Sequence, residues 1–341
     1  MRTPGPRNLI TDVGGLLVGN AEDRDLKSGV TVVLCEGGAV ASVAVVGGAP
    51  GTRETDLLEP HNTVEMVNAI VLSGGSAYGL DAASGVQAAL RKQRVGVEIG
   101  DHVIPIVPAA ILFDLLGGGN KDWGHYPPYR ELGEEAVGAA ASDFSIGTAG
   151  AGTGATTADL KGGLGSASTV LENGITVGAI GAVNSIGSAN VAGGPHFWAA
   201  PFECKGEFGD IGLPAPLPKS ASYLRLKYRN LQNSELANTT IGIIATDAVL
   251  TKSDAKRLAV ATHDGLARAI WPAHLPSDGD LVFSVATGTS GKVLDIDGFI
   301  DLCAAAAATM SRAIARGVYS AHREPNDVKP TWQEKFGGSE E

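Results

Sequence analysis

The sequence of 341 residues offers few of the features that announce a chemistry at first reading. It has three cysteines, Cys35, Cys204 and Cys303, scattered and without a CxxC pair. That excludes a disulfide framework and a thiolate zinc site, and leaves buried free thiols in a reducing cytoplasm as the reading. The seven histidines, at 61, 102, 125, 196, 263, 274 and 322, form no HxH or HExxH, which argues against a histidine metal site. "DIDGFID" (295 to 301) resembles the start of a calcium loop but lacks the later acidic ligands. A helix N-terminus with Asp297 in its first turn is the simpler expectation. No cofactor is expected.

Positive charge is also scarce. Lys and Arg number 26 against 37 Asp and Glu, a net charge of −11, and no segment gathers the basic residues into a stripe. Nucleic acid and anionic membranes are therefore poor partners, and a small peptide or amide is the better one. The N-terminus, "MRTPGPRNLITDVGG", lacks the apolar core of a secretory signal, and "LCAAAAATM" from Leu302 is too short to cross a bilayer. The expectation is a cytoplasmic protein.

Nucleotide-binding and triad signatures fare no better. Gly150-Ala-Gly152-Thr-Gly154 approaches a dinucleotide fingerprint, but the third glycine is misplaced and no strand-to-helix switch surrounds it. There is no Walker pattern and no GxSxG elbow.

What the chain has is glycine, 47 residues of it, in alternation with short apolar runs. "VTVVLCEGGAVASVAVVGGAPG" reads as two strands around a Glu36-Gly37-Gly38 hairpin turn. "VNAIVLSGG" (67 to 75) reads as a buried strand running into a helix with Ser76 as N-cap. Residues 131 to 142 form a short helix, and "GSASTVLENGITVGAIGAVNS" a hairpin on a type I′ Asn173-Gly174 turn. A proline-rich, turn-rich stretch follows it. Beyond residue 239 the order is strand (239 to 246), helix (252 to 269), strand (280 to 287) and helix (296 to 317). Hairpins mixed with helices suggest an α+β layered sandwich rather than a βαβ repeat.

One local pattern carries chemistry. In "ANTTIGIIATDAVL" a polar Asn238-Thr239-Thr240 stands at the mouth of an apolar strand. A threonine hydroxyl needs an adjacent base, and a free amine on the same residue is one, with an unperturbed pKa near 8. Freeing that amine requires cleavage of the 238–239 bond. Taken alone, a threonine at a strand start is ordinarily structural, since β-branched residues suit strands.

Nine segments taken in order change the balance. They include "ITDVGGLLVGNAED", "GGAPGTRETDLLEP", "AIVLSGGSAYGLDAASGV", "GAGTGATTADLKGGLGSAS", "VGAIGAVNSIG", "NTTIGIIATDAVLTKSDAKRLAVATHDGLARAI" and "DGDLVFSVATG". From about residue 10 to 318 the chain resembles the DmpA-type L-aminopeptidase/D-esterase family, which includes β-aminopeptidases and nylon-oligomer hydrolases.

The resemblance implies an N-terminal-nucleophile hydrolase with a four-layer αββα sandwich. It implies a single domain over 1–341, autocleaved into 1–238 and 239–341, within a homo-oligomer, a tetramer being favoured. Thr239 matches the nucleophile and Asn238 the residue before the cut. Asp278 and Asp280 match acidic positions placed against the nucleophile in the threonine branch, and Lys161 and Asn184 match further active-site positions. On chemical grounds the two aspartates would orient the Thr239 hydroxyl or ammonium, while Asn184 and Lys161 would favour a developing oxyanion. One departure is Phe113, standing where the family has a tyrosine whose hydroxyl assists at the oxyanion; phenylalanine donates no hydrogen bond.

The function expected is hydrolysis of short peptides, amino-acid amides or related oligoamides through an acyl-enzyme on Thr239. An ornithine-acetyltransferase-like acyltransferase and a non-catalytic oligomeric homologue are the alternatives.

Overall fold

The computed structural model describes residues 3–227 and 238–337. In chain order its strands are β1 (Leu16–Asp23), β2 (Ser28–Val45), β3 (Thr52–Arg53), β4 (Met66–Ser73), β5 (Val97–Ile99), β6 (His102–Ile104), β7 (Ala109–Ile111), β8 (Gly163–Val170), β9 (Thr176–Asn184), β10 (Thr239–Thr246) and β11 (Leu281–Ala286). The helices are α1 (Ala82–Lys92), α2 (Tyr129–Gly138), α3 (Lys252–Ala269), α4 (Ile296–Tyr319) and α5 (Trp332–Phe336).

Strand pairing runs β3-β7-β4-β2-β11-β10-β9-β8, with β1 on the free side of β2; β5 and β6 form a separate hairpin. β2 is the element that makes two layers from this path. Its first half lies between β1 and β4, and its second half pairs with β11. Between the halves, at Leu34 to Ala39, the register with β4 shifts, and Gly37 and Gly38 take φ of 76° and 83°. The expected hairpin at Glu36-Gly37-Gly38 is therefore a bulge in one long strand. The glycines accept the left-handed backbone and re-aim the strand without reversing it.

Alternation along the strands distributes side chains to three cores. Val33, Ile70, Leu72, Ile180, Ile241, Ile243, Phe283 and Val285 fill the space between the two sheets. Val30, Val32, Ala69 and Val71 point the other way, onto α1 and α2. Val177, Ala179, Ile244 and Val282 point onto α3 and α4. Helix, sheet, sheet, helix: the fold is the α+β, four-layer αββα sandwich.

Three local expectations change. Ser76 does not cap a helix; it takes a φ of 54° in a short 3₁₀ turn (Ser76–Asp81) ahead of α1, with no side-chain cap bond. The β8–β9 turn is not type I′, because Gly174 (φ 79°) is left-handed but Asn173 is not. Instead Gly174 donates to the Leu171 carbonyl and Leu171 to the Ile175 carbonyl, a type I turn completed by a left-handed glycine. α4 spans 24 residues and is apolar enough by length and composition to cross a membrane, which its Ala run alone did not suggest. About half of it is buried, with Leu302, Ala306, Met310 and Ile314 in the core against α3 and β9, so packing accounts for its apolarity. Asp295 caps it, accepting the Gly298 amide at 2.8 Å.

Candidate active site

Thr239 opens β10 and sits at the inner end of the sandwich, 1% exposed. On one side β10 runs antiparallel to β9, and the register sets Thr239 opposite Asn184. On the other it runs parallel to β11, and the ladder begins with Asn238 beside Asp278. The sheet thus draws Asn184, Asn238, Thr239 and the 278–280 turn together from three strands.

The turn wraps the 238–239 peptide bond. Asn238 donates its amide to the Ser277 carbonyl at 3.1 Å and accepts from the Gly279 amide at 2.6 Å. The Asp280 carboxylate accepts from the Thr240 amide at 2.7 Å through Oδ1, and from the amide and Nδ1 of His274 at 3.0 and 2.9 Å through Oδ2. The Asp278 carboxylate accepts from the Leu275 amide at 3.0 Å through Oδ2, and its Oδ1 is buried. The turn is held from behind by Val46 to Ala49: the amides of Val46 and Gly47 donate to the Asp280 carbonyl, that of Gly48 to Leu275 and that of Ala49 to Asp278. A Cβ on Gly47 would stand 2.4 Å from Asp278 O and Asp280 N, which explains the glycine there.

The charge of Asp280 disfavours a second charge on Asp278. Burial, then the charge of Asp280, push the Asp278 carboxyl up to about 7, opposed by the amides of Leu275 and Ile186 and by His274. His274 is pulled down by burial, but its hydrogen bond and ion pair with Asp280 outweigh that and raise it above the ordinary histidine value. Its ring meets His263 edge-on at 4.9 Å between centroids. His263 is pushed down to about 4 by burial and is neutral, with Nε2 2.9 Å from the Ala44 carbonyl.

Asn184 is fixed by its neighbours. Its Oδ1 accepts from the Thr156 amide at 3.0 Å and from Lys227 Nζ at 2.9 Å, and its Nδ2 donates to the Phe113 carbonyl at 2.8 Å. The orientation of the amide follows from the donors on one side and the carbonyl on the other. Phe113, which lacks the hydroxyl, thus enters the site through its backbone. Lys161 stands one step out. It is bridged to Thr156, and its Nζ is 2.7 Å from Asp327 Oδ2. Asp327 also pairs with Lys27. Burial lowers the Lys161 pKa against the pull of Asp327.

The sequence-based set therefore divides. Thr239, Asn238, Asn184, Asp278 and Asp280 share one hydrogen-bonded neighbourhood, whereas the Lys161 ammonium is directed to Asp327. His274, His263, Lys227, Thr156 and Gly279 complete the surroundings and were not read from sequence. His274 left a faint signal, four positions before Asp278 in "HLPSDGD"; Lys227 left none, being a single lysine in a turn-rich stretch.

Residues 8–327 match peptidase family S58. An uncharacterized aminopeptidase of Mycobacterium bovis is 42% identical over 97% of this chain and 99% of its own length. A 6-aminohexanoate-oligomer endohydrolase of Kocuria sp. is 27% identical over 84% of this chain and 77% of its own. Among solved structures, a β-aminopeptidase of Burkholderia sp. superposes with a TM-score of 0.71 at 24% identity, covering 98% of this chain and 92% of that one. The L-aminopeptidase D-Ala-esterase/amidase of Ochrobactrum anthropi, described as a variant of the Ntn-hydrolase fold, gives 0.68 at 21%, covering 98% and 96%. These two likenesses show the fold. With the match over nearly its whole length, the chain belongs to peptidase family S58, the DmpA family, and is a hydrolase.

Proposed function

We propose that the chain cleaves itself between Asn238 and Thr239 and then hydrolyses short peptides, amino-acid amides or related oligoamides through an acyl-enzyme on Thr239. The observation that carries this reading is the 2.6 Å hydrogen bond from the Gly279 amide to the Asn238 carbonyl. A backbone donor there polarises the carbonyl that Thr239 Oγ1 would attack and stabilises the oxyanion that forms on it.

The steps balance without a co-reactant other than water. Oγ1 attacks the Asn238 carbonyl carbon, the C–N bond breaks, and the hydroxyl proton ends on the departing Thr239 nitrogen. Water then hydrolyses the Asn238 ester, leaving a carboxyl on 238 and restoring the Thr239 hydroxyl. The new amine acts as the base for the next acyl transfer, from a substrate amide. Asp278 suits the first proton transfer because its carboxyl is held near neutrality beside Asn238 in the ladder. Asp280, at the Thr240 amide, keeps the strand start in register and favours a positive charge on the new amine. Thr239 is nearly inaccessible in the uncut chain, so opening to substrate follows cleavage. The relatives named for aminopeptidase and oligoamide hydrolysis support the substrate class.

The test is a denaturing gel with N-terminal sequencing, for wild type and Thr239→Ala. A smaller band beginning "TTIGII", absent from the variant, is expected. A wild-type chain that stays whole after long incubation removes the proposal.

A further inference from the structure

Lys227 is an unusual lysine. It is 2% exposed, yet it belongs to no strand or helix and follows a run of exposed residues from Ser222 to Arg225. Its amide donates to the Ile186 carbonyl at 2.8 Å, which ties the segment to the end of β9. Its Nζ lies 2.8 Å from Thr156 O, 3.2 Å from Thr156 Oγ1, 3.2 Å from Asn184 O and 2.9 Å from Asn184 Oδ1. A buried amine without partners is costly, and this one is surrounded by oxygens.

We propose that Lys227 is a positioning residue for the Thr239 reaction: with the Thr156 amide it locks the Asn184 side chain, which stands opposite Thr239 in the strand ladder, with Nδ2 on the Phe113 carbonyl. The inference rests on the reading of Thr239 as nucleophile. The lock follows from donor and acceptor chemistry. Asn184 Oδ1 receives two donors, the Thr156 N–H and Lys227 Nζ, so a flipped amide would set its NH₂ against both. In the locked orientation Nδ2 donates one proton to the Phe113 carbonyl and keeps a second, at the strand position opposite Thr239. This makes up for the hydroxyl that Phe113 lacks, by fixing the remaining side-chain donor in place.

Burial, opposed by the charges of Asp278 and Asp114, lowers the Lys227 pKa well below the ordinary lysine value, so its part here is that of a hydrogen-bond donor.

The self-cleavage rate is the readout, since it needs no external substrate. In Lys227→Met, cleavage at 238–239 is expected to slow about 10²-fold, the order of loss when a reacting geometry slips by about an ångström. Lys227→Ala should regain rate with added methylamine, which a merely structural lysine would not allow. Lys256→Met, which removes a half-exposed lysine paired with Glu59, should cleave as wild type. If Lys227→Met fails to stay folded, Lys227→Arg decides: its planar fork cannot reproduce the donor geometry, so cleavage should slow about 10-fold. A folded Lys227→Met cutting at the wild-type rate overturns the inference, as does wild-type cleavage in Lys227→Arg. An uncut wild type overturns instead the reading of Thr239 beneath it.

Discussion

The amide of Gly279 donates to the carbonyl oxygen of Asn238 at 2.6 Å, and the same glycine makes room for the Thr239 side chain. A Cβ at 279 would stand 2.7 Å from Thr239 Oγ1 and 2.7 Å from the Ala49 carbonyl. One residue therefore sets both the electrophile and the space for the nucleophile. Gly279→Ala should displace the turn, and loss of an oxyanion donor costs about 10²–10³ in rate. Quantitative gels of cleavage over time, with circular dichroism to show the fold retained, provide the check; normal cleavage would mean that Gly279 serves packing alone.

Asp278 should set the pH dependence of self-cleavage. With its carboxyl pushed up to about 7 by burial and by Asp280, a rate needing the carboxylate falls off on the acid side of neutrality. Asp278→Asn should remove that limb together with most of the rate. Its effect on stability has the opposite sign. A carboxyl whose folded pKa is raised above 3.8 binds its proton more tightly when folded, so stability declines as pH climbs from about 4 to 7. Above that range Asp278→Asn should be more stable than wild type, by about 1–4 kcal/mol. Urea melts at pH 5 and pH 8 would show a clearly larger gain at the higher pH.

His274 gives the reverse dependence. Its pKa is raised by Asp280 despite burial, so the contribution is fully present below the ordinary value of 6.5 and is lost as pH rises through the folded value. A hydrogen bond to a charged partner is worth about 1.5–3 kcal/mol, and His274→Gln should cost that much at pH 5.5 and less at pH 9. Thermal melts across this range are the measurement, and a pH-independent difference would contradict the assignment.

Asp327 holds two buried lysines, Lys27 and Lys161, together. Asp327→Ala leaves both uncompensated, and breaking a buried pair from one side costs about 3–5 kcal/mol. The expected result is a large loss in urea stability. The double variant Asp327→Ala/Lys161→Met should recover part of it, because one orphaned charge goes with its partner. A full loss in the double variant would show that the Asp327 segment matters through packing rather than charge.

Much of the site was legible because its parts are strand ends and turns. Thr239 at the head of an apolar strand, Asn184 at the end of the hairpin and the Asp278-Gly-Asp280 turn before β11 each follow from local pattern, and their order along the chain matched a family. The strand 239 to 246 and the helix 252 to 269 agree with β10 and α3 to the residue, because a short apolar run buried at every position and a Thr251–Asp254 capping box mark them. The β2 hairpin was misread because Gly-Gly suits a turn and a bulge alike; pairing partners decide between them, and β4 and β11 are distant in sequence.

By itself, then, the sequence determined the alternation of strands and helices, and its resemblance to a family pointed to the candidate nucleophile and the acidic pair. Only the tertiary structure decided what each group does there. It placed Lys161 against Asp327, turned the Phe113 carbonyl toward Asn184, and brought Lys227 and His274 in from segments without a motif. The reason is physical: local pattern reports backbone preference over a few residues, whereas the ionisation and orientation of a buried polar group depend on charges and donors brought beside it by long-range packing.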